Sequence, residues 1–415
     1  MSDERFSLGV NYWPRRKAMY WWKDFDAGEV RDEFAQVRAL GCDVARIFLL
    51  WEDFQPDPTT VDAQALSHLD IVADAARDAG IGLDVTFFTG HMSGPNWVPP
   101  WLLGGDTFPA PGVRQVVSGG LPVAPGHYRN QFTDPVAVAA ARRLIEAVVT
   151  RLHAHPAVWC WNLGNEPDLF SWPTDHLTGG AWVRQMVDAI KSIDDRPVTC
   201  GLHVDSLLRD NGLRVPDVFA ETDFAVMHAY PMYANWARGP LDPDHVPFTC
   251  ALTAALSGKR VLMEEFGGCT ALPGEASHTW AWNAYGTDRT QFMASEEDLA
   301  GYLEAVLPNL VDVGATGAFL WCWADYIEEL WDRPPCDPGG AKHERHFGLV
   351  RPDGTPKPHA EVLRAFAATK PTVLATPRHA VPLASVPPSS EYYADPKGHC
   401  VRLYSEYLAL KAASS

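Results

Sequence analysis

Short apolar runs alternate with amphipathic stretches along most of this chain. Runs such as VARIFLL, AVWCWNL and AVMH are continuously apolar rather than alternating. This pattern is typical of parallel strands that are covered on both faces. It predicts eight strands, at residues 6–12, 43–50, 82–88, 157–163, 197–203, 224–228, 260–264 and 317–322.

Helical periodicity occupies most of the segments between these strands. It predicts helices at residues 29–39, 62–79, 135–153, 182–193, 248–257, 296–313 and 357–368. The fifth unit is the weakest, because only a short segment at 206–211 offers a helix. Eight strands, each followed by a crossover, predict an α/β fold, the (β/α)8 TIM barrel. A doubly wound open sheet is the alternative, but no GxGxxG follows the first strand.

Three connections are long and carry no predicted helix or strand, at residues 89–133, 266–294 and 323–356. Each follows a strand and so belongs to the C-terminal rim, where barrel active sites lie. Loops of this length are usually functional. We expect one catalytic barrel over residues 1–370 and a C-terminal extension over 371–415 that packs on the barrel with a helix or strand of its own.

Charge and composition narrow the class of protein. The chain has 52 acidic and 34 basic residues, a net charge of −18, which disfavours nucleic acid and anionic membranes as partners. Its eight cysteines form no CxxC pair and no zinc spacing. The opening MSDERFSLGVNYW has no basic or apolar signal region, and no run reaches the length of a membrane span. We therefore expect a cytoplasmic enzyme.

Tryptophan is abundant, with 16 residues in the chain. Many lie at the ends of predicted strands or in the loops that follow, and such rings can stack on the apolar faces of sugars. Packing at the base of a loop is the alternative for any single one. The residues concerned are Trp13, Trp51, Trp97, Trp101, Trp161, Trp321 and Trp323.

Glutamates end two of the predicted strands. The fourth strand runs into WNLGNEPDLF, which contains Glu166, and the seventh ends in VLMEEFGG, which contains Glu264 and Glu265. Consecutive strand residues point to opposite sides, so one of the latter two faces the barrel axis. Strands four and seven lie across the barrel mouth from each other. Two carboxylates placed there can straddle a glycosidic bond, as sugar hydrolysis requires.

These motifs resemble glycoside hydrolase family five, within the clan of barrel glycosidases that carry their glutamates on strands four and seven. The matching segments are VARIF, FFTGH, WNLGNEP, HAYP, MEEFG, GAFLWCW and FGLVRPDGTPKP, and they span residues ~5–370 in order. NEP followed by EFG, with H-x-Y between them, is the specific part of the match. Within this family, the opening segment GVNYWPR and the later run HMSGPNWVPPW are most similar to exo-acting bacterial members of the β-mannosidase type.

The resemblance implies two catalytic residues: Glu166 as the acid/base and Glu265 as the nucleophile. It also implies that Arg46 binds the nucleophile's carboxylate and that Asn165 binds the sugar 2-hydroxyl. The other implied substrate-binding residues are His91, His228, Tyr230 and Trp321. The sequence departs from the family pattern in two places: it has adjacent glutamates at 264 and 265, and a second tryptophan at 323. The choice of Glu265 over Glu264, and that of Trp321 over Trp323, therefore stay open.

A retaining exo-β-mannosidase acting on short oligosaccharides is the function that this resemblance favours. The loops after strands three and eight would close the pocket, with Trp97 or Trp323 lining it and Asn11, Glu52 and Asp325 as candidates to bind terminal hydroxyls. The alternatives are an endo-β-mannanase or endoglucanase with an open cleft, and a carbohydrate-binding barrel without turnover. No cluster of metal ligands is visible, so we expect no metal and no cofactor.

Overall fold

The computed structural model describes residues 5–112 and 115–414 and contains the predicted barrel. Eight parallel strands form one sheet in the order β6-β7-β8-β1-β2-β3-β4-β5, and a bridge between His203 and His228 joins its two edges. The strands are β1 (Ser7–Asn11), β2 (Val44–Leu50), β3 (Gly82–Thr89), β4 (Val158–Asn165), β5 (Val198–Gly201), β6 (Ala225–His228), β7 (Val261–Gly267) and β8 (Gly317–Trp321).

Helices surround the sheet and follow the predicted pattern in seven of the eight units. They are α1 (Ala27–Ala39), α2 (Ala63–Ala79), α3 (Pro135–Leu152), α4 (His176–Lys191), α5 (Val215–Ala220), α6 (His245–Ser257), α7 (Glu296–Asp312) and α8 (Pro358–Ala368). In the fifth unit the short helix predicted at 206–211 is present as a four-residue helix, Asp205–Leu208. The prediction missed α5, which begins later at RVPD, where proline is suited to a first helical turn.

The helix boundaries have local causes. Asp26, Asp62 and Asp134 precede α1, α2 and α3, and each side chain accepts hydrogen bonds from the first free backbone N–H groups. Gly80 ends α2 in the left-handed conformation, which favours glycine. Every residue of β2, β6, β7 and β8 is buried, which explains why these strands read as continuous apolar runs.

Two of the three long connections contain strands that the sequence analysis missed. In the first, Asn96–Trp97 and Leu121–Val123 both pair with Val116–Ser118. In the second, His278–Ala284 and Thr287–Met293 form an antiparallel hairpin, hereafter the β7 hairpin. Its sequence, HTWAWNA, alternates in burial, and Tyr285 and Gly286 form the turn with positive φ.

The last helix, α9 (Pro396–Ser414), packs near Asp205–Leu208 and α6. Before it, the hydroxyls of Tyr392 and Tyr393 donate to the carbonyls of Leu207 and Ser206 at 2.8 and 3.0 Å. A boundary between barrel and extension at residue 370 stays a prediction. Among the helices of the described residues, none is long and apolar enough to span a membrane.

Candidate active site

A cavity of about 370 Å³ opens at the C-terminal ends of the strands. Six of the residues named from the sequence line it: His91, Asn165, Glu166, Tyr230, Glu265 and Trp321. They come from the ends of β3, β4, β6, β7 and β8, so the fold gathers side chains that are far apart in the chain.

Glu166 lies immediately after β4 and enters the cavity. Its backbone is left-handed, with φ of 47°, an uncommon conformation for a residue other than glycine and one that marks functional sites. The conformation turns the chain from the strand into a short helix that begins at Pro167. The Glu166 amide donates to the carbonyl of Gly201 on β5 at 2.8 Å. This turn holds the carboxylate at the mouth of the barrel.

Glu265 faces the cavity from β7 and is held at both oxygens. The Tyr230 hydroxyl donates to Oε1 at 2.7 Å, and Arg46 Nη1 donates to Oε2 at 3.1 Å. Arg46 is itself fully buried and also donates to Asn11 Oδ1 and Thr86 Oγ1. Charge-assisted bonds of this kind fix the orientation of a carboxylate.

Glu264 lies beneath the cavity rather than in it. It is fully buried, forms an ion pair with Arg46 at 3.4 Å and contacts His228 Nε2 at 2.9 Å. Asn162 Nδ2 donates to its other oxygen at 3.0 Å. A Cβ atom at Gly201 would lie 2.7 Å from Arg46 Nη2, so only glycine fits beside this cluster. Of the two adjacent glutamates, Glu265 is therefore the one positioned to meet a substrate.

His228 joins the carboxylates of the site. Its Nδ1 lies 3.1 Å from Glu166 Oε1 and 3.5 Å from Glu265 Oε2. One oxygen of each of these glutamates and a ring nitrogen of His228 all lie within 4.8 Å of one another. Retaining glycosidases place their two carboxyl groups ~5–5.5 Å apart, whereas inverting ones separate them by ~6.5–9.5 Å. The nearest oxygens of the two glutamates are thus close enough for the shorter, retaining arrangement.

The electrostatics of this cluster favour a single shared proton on the pair of glutamates. Burial and the charge of Glu166 raise the pKa of Glu265 to about 7, although His228 and Arg46 oppose them. Burial also raises the pKa of Glu166, but His203, His228 and His91 together lower it below its ordinary value. Burial lowers the pKa of His228, yet the surrounding glutamates raise it to about 10. His228 is therefore protonated and donates from both nitrogens.

Three further predicted residues line the cavity. The Nδ2 of Asn165 donates to the carbonyl of His91 at 2.8 Å, while its Oδ1 is buried without a hydrogen-bond partner among the described residues. Such an acceptor can bind a hydroxyl group. The ring of Trp321 lines the cavity beside Glu265. Nδ1 of His91 contacts Asn96 Oδ1 at 2.9 Å, and its Nε2 lies 3.8 Å from Glu166.

Trp97 and Trp323 do not reach the cavity. Trp97 is buried in the first long connection, where its indole N–H donates to the carbonyl of Met92 and its ring packs against Tyr20. Trp323 is fully buried beyond the end of β8, and its amide donates to the carbonyl of Asn11. Their assignment to the pocket is corrected: both pack inside the base of a loop.

The three candidates for binding terminal hydroxyls are also absent from the cavity lining. Asn11 is fully buried and donates to backbone carbonyls of β7 and β8. Glu52 accepts from the amides of Gly119 and Gly120. Asp325 is paired with Lys357 at 2.8 Å. Each of these polar groups is already satisfied by structural partners.

Several cavity residues escaped the sequence analysis because they lie in the loops. The β7 hairpin contributes Trp282, Arg289, Thr290 and Gln291, and the loop after β8 contributes Ala341, His343, Glu344 and Phe347. Loops after β5 and β6 add His203, Asp205 and Tyr233. The alternating HTWAWNA and the turn after it could have revealed the hairpin, but no local pattern tells which loop residues converge.

Contacts between these loops narrow one side of the cavity. Tyr233 and His343 join the loops after β6 and β8 through a 3.0 Å hydrogen bond. Trp282 of the β7 hairpin donates to the carbonyl of Gly340 at 2.9 Å. Gly94, in the loop after β3, approaches so closely that an added Cβ would lie 3.0 Å from Ala341 Cβ. Four loops thus meet around residues 340–343.

Among the described residues, one group has potential ligand atoms close enough together to hold a metal ion: Glu166, His228 and Glu265. Ligation requires a neutral imidazole. His228 has a raised pKa and both of its nitrogens face carboxylates, so it is poorly suited to bind a cation. The independence from metals expected from the sequence stays a prediction.

Family models match two overlapping parts of the chain. One, described as "Glycosyl hydrolases family 2, TIM barrel domain", matches residues 112–250. Another, described as "Beta-galactosidase", matches residues 19–177. Both descriptions belong to glycosidases, in agreement with the barrel and its paired carboxylates.

Curated relatives include two mannan endo-1,4-beta-mannosidases. Mannan endo-1,4-beta-mannosidase 4 of Oryza sativa subsp. japonica is 26% identical over 58% of this chain and 56% of its own length. Mannan endo-1,4-beta-mannosidase A of Hypocrea jecorina is 23% identical over 58% of this chain and 55% of its own length. The matches thus span slightly more than half of these relatives.

Solved structures share the fold over most of the chain. A GH5_18 protein from Streptomyces cattleya in complex with GlcNAc has a TM-score of 0.77 at 21% identity and covers 99% of this chain and 92% of its own. The exo-beta-1,4-mannosidase Op5Man5 from Opitutaceae bacterium strain TAV5 has a TM-score of 0.70 at 24% identity, covering 89% and 62%. At these identities the solved structures show the shared barrel fold.

Proposed function

We propose that this protein is a retaining exo-β-glycosidase that releases terminal sugars, with β-mannosides as the favoured substrates. The observation that carries the proposal is the pair Glu166 and Glu265, which face each other in one cavity at a spacing suited to retention. Both carboxylates belong to strand ends, and both have partners that orient them. A non-catalytic sugar-binding barrel would not need this paired arrangement.

In the proposed reaction Glu265 attacks the anomeric carbon while Glu166 protonates the leaving oxygen. A covalent glycosyl-enzyme forms, and Glu166 then removes a proton from the water that hydrolyses it. Arg46 and Tyr230 hold Glu265 in its attacking orientation. Asn165 Oδ1 accepts from the sugar 2-hydroxyl, and Trp321 lies under the ring.

Proton placement is the chemical problem that this site must solve. The active form needs its proton on Glu166, although the neighbouring histidines lower the pKa of that group. Because the two groups interact, they titrate as a pair with one shared proton. His228 Nδ1 contacts both carboxylates, so it offers a short path along which that proton moves when the substrate binds.

The closure of one side of the cavity supports exo action. The loops after β3, β6, β7 and β8 meet around residues 340–343, and a wall there would stop a longer chain on that side of the cavity. A cytoplasmic location stays a prediction, as does the preference for mannose.

An endo-β-mannanase is the second candidate, and a specific observation favours it. A neighbouring cavity of about 440 Å³ shares His203, Asp205, Tyr230 and Tyr233 with the first and adds Trp236. Together the two cavities could hold several sugars, and the curated relatives are named as endo-acting enzymes. Under the exo proposal the neighbouring cavity takes the leaving part of the substrate.

The proposal is tested with p-nitrophenyl β-glycosides, mannobiose, Manβ1-4GlcNAc, mannohexaose and soluble mannan, with the Glu166→Ala variant as the inactive control. We expect the β-mannoside to react fastest, mannohexaose to yield monosaccharide first, and NMR to show a β-anomeric first product. Early di- and trisaccharides from mannohexaose would establish the endo-acting alternative. An α-anomeric first product would contradict the retaining mechanism.

A further inference from the structure

The cavity contains a third carboxyl group that the reaction above does not use. Glu344 lies in the helical turn Lys342–His346 of the loop after β8, is 7% exposed and lines the cavity. Its Oε2 accepts a hydrogen bond from the indole N–H of Trp321 at 3.2 Å. It therefore sits at the edge of the ring on which the sugar is proposed to lie.

Across the residues that the structure describes, the partners of Glu344 include the Trp321 indole and the Ser93 hydroxyl but no cation. Its contact in the ion-pair range is His343 Nε2, 3.7 Å from Oε1. That nitrogen already lies 3.0 Å from the hydroxyl of Tyr233, and burial lowers the pKa of His343 to about 3. His343 is therefore neutral. Within residues 5–112 and 115–414, no lysine or arginine forms an ion pair with Glu344.

A buried carboxyl group without a charged partner is costly. Burial raises the pKa of Glu344 to about 8, and the charges of Glu265 and Glu166 add to this effect. Two buried carboxylates elsewhere in this barrel are paired with a cation, Asp325 with Lys357 and Glu296 with Arg351, whereas the buried Asp168 accepts hydrogen bonds from Ser206 and the His203 amide. Glu344 differs from them by facing a cavity, where a polyhydroxylated ligand can supply the missing donors.

We propose that Glu344 is a specificity-determining residue that accepts hydrogen bonds from hydroxyl groups of the terminal sugar bound over Trp321. This inference rests on the proposed glycosidase function and names the group that recognises the glycone. The loop contacts around residues 340–343 bring Glu344 to the closed side of the cavity, so the hydroxyls that it meets belong to a sugar with no further neighbour.

The role has an energetic consequence that a merely structural residue lacks. A site built to bind a hydroxyl group discriminates strongly against an analogue that lacks it, because the site's polar group is then left unpaired. The discrimination should depend on Glu344 and on one or two positions of the sugar. Loss of packing around Trp321, by contrast, would slow all analogues by the same factor.

The test is a double-mutant cycle between residue and substrate. The aryl β-glycoside that the wild-type enzyme hydrolyses fastest is compared with its 3-, 4- and 6-deoxy analogues, in the wild type and in Glu344→Gln and Glu344→Ala. In the wild type we expect at least one deoxy analogue to lose about tenfold or more in kcat/KM, the equivalent of a strong hydrogen bond to a buried carboxyl group. In Glu344→Ala the same analogue should lose less than about threefold relative to its parent.

Glu344→Gln keeps the shape of the side chain, so it guards against a loss of folding in Glu344→Ala. Glu329→Gln, an exposed glutamate in the same loop, is the matched control and should leave every ratio unchanged. Equal penalties for each analogue in the wild type and both Glu344 variants would overturn the proposal. Wild-type inactivity on all β-glycosides would instead contradict the glycosidase function itself, so the two failures are distinguishable.

Discussion

The hydrogen bond between Tyr230 and Glu265 permits a quantitative test of the nucleophile. Tyr230→Phe removes one hydroxyl group and keeps the ring. The bond is 2.7 Å long and buried, and a bond to a carboxylate contributes about 1.5–3 kcal/mol. Because it stabilises the ionised form, its loss should raise the pKa of Glu265 further above about 7. The expected displacement is about one to two pH units, at ~1.4 kcal/mol for each.

A dinitrophenyl β-glycoside is the substrate for this test, because its leaving group needs little help from an acid. Its hydrolysis then depends on the ionised Glu265 and is lost as the pH falls through the pKa of that residue. The pH profile of kcat/KM reports groups of the free enzyme. The acid limb should have its midpoint near 7 in the wild type and at higher pH in Tyr230→Phe.

Two further variants provide a shift in the opposite direction and a control. Glu166→Gln should move the midpoint to lower pH, because the charge of Glu166 raises the pKa of Glu265. Tyr302→Phe is the matched control: its hydroxyl is buried without a hydrogen-bond partner in the described part of the chain, so the profile should not change. The reasoning would be refuted if the midpoint of the acid limb did not change in Tyr230→Phe. It would also be refuted if Tyr230→Phe and Glu166→Gln moved that midpoint in the same direction.

The remaining predictions concern the other residues of the site and the absence of metal dependence. Glu166→Ala should lose ~10²–10⁴-fold on substrates with poor leaving groups, and azide should restore part of the activity on the dinitrophenyl glycoside; failure of azide would argue against its acid/base role. Glu264→Gln should lower the melting temperature, since it removes a buried charge beside Arg46 and His228, and normal activity in Glu265→Gln would show that the glutamates had been exchanged. EDTA should leave activity intact, and its loss with recovery on adding a divalent ion would contradict the metal-free mechanism.

The sequence predicted the barrel well because both of its signals are local. Strands covered on two faces read as apolar runs, and each helix carries its own periodicity and caps. The missed helix of the fifth unit, α5, is only six residues long, too short to show a period. The strands of the first long connection were missed for a related reason, since two- and three-residue strands such as Asn96–Trp97 and Val116–Ser118 leave no pattern.

The sequence could identify a site residue only where that residue lies at or near the end of a strand. Glu166, Glu265, Tyr230 and Trp321 lie within strands or no more than two residues beyond them, where the fold largely fixes their position. Beyond a strand end the direction of a side chain also depends on the loop: Tyr230 and Trp323 both lie two residues past a strand, but Tyr230 reaches the cavity and the ring of Trp323 turns inward. No sequence pattern identified Glu344 as a site residue, because its approach to Trp321 depends on how the loop after β8 packs.

Trapping of the covalent intermediate tests the central claim most directly. A 2-deoxy-2-fluoro-β-mannosyl fluoride forms the glycosyl-enzyme faster than it is hydrolysed, so mass spectrometry of the intact protein and of its peptides locates the attached sugar. The proposed mechanism predicts one fluorosugar per chain, attached to Glu265. Attachment to Glu264, or turnover of the compound without any labelled protein, would contradict it.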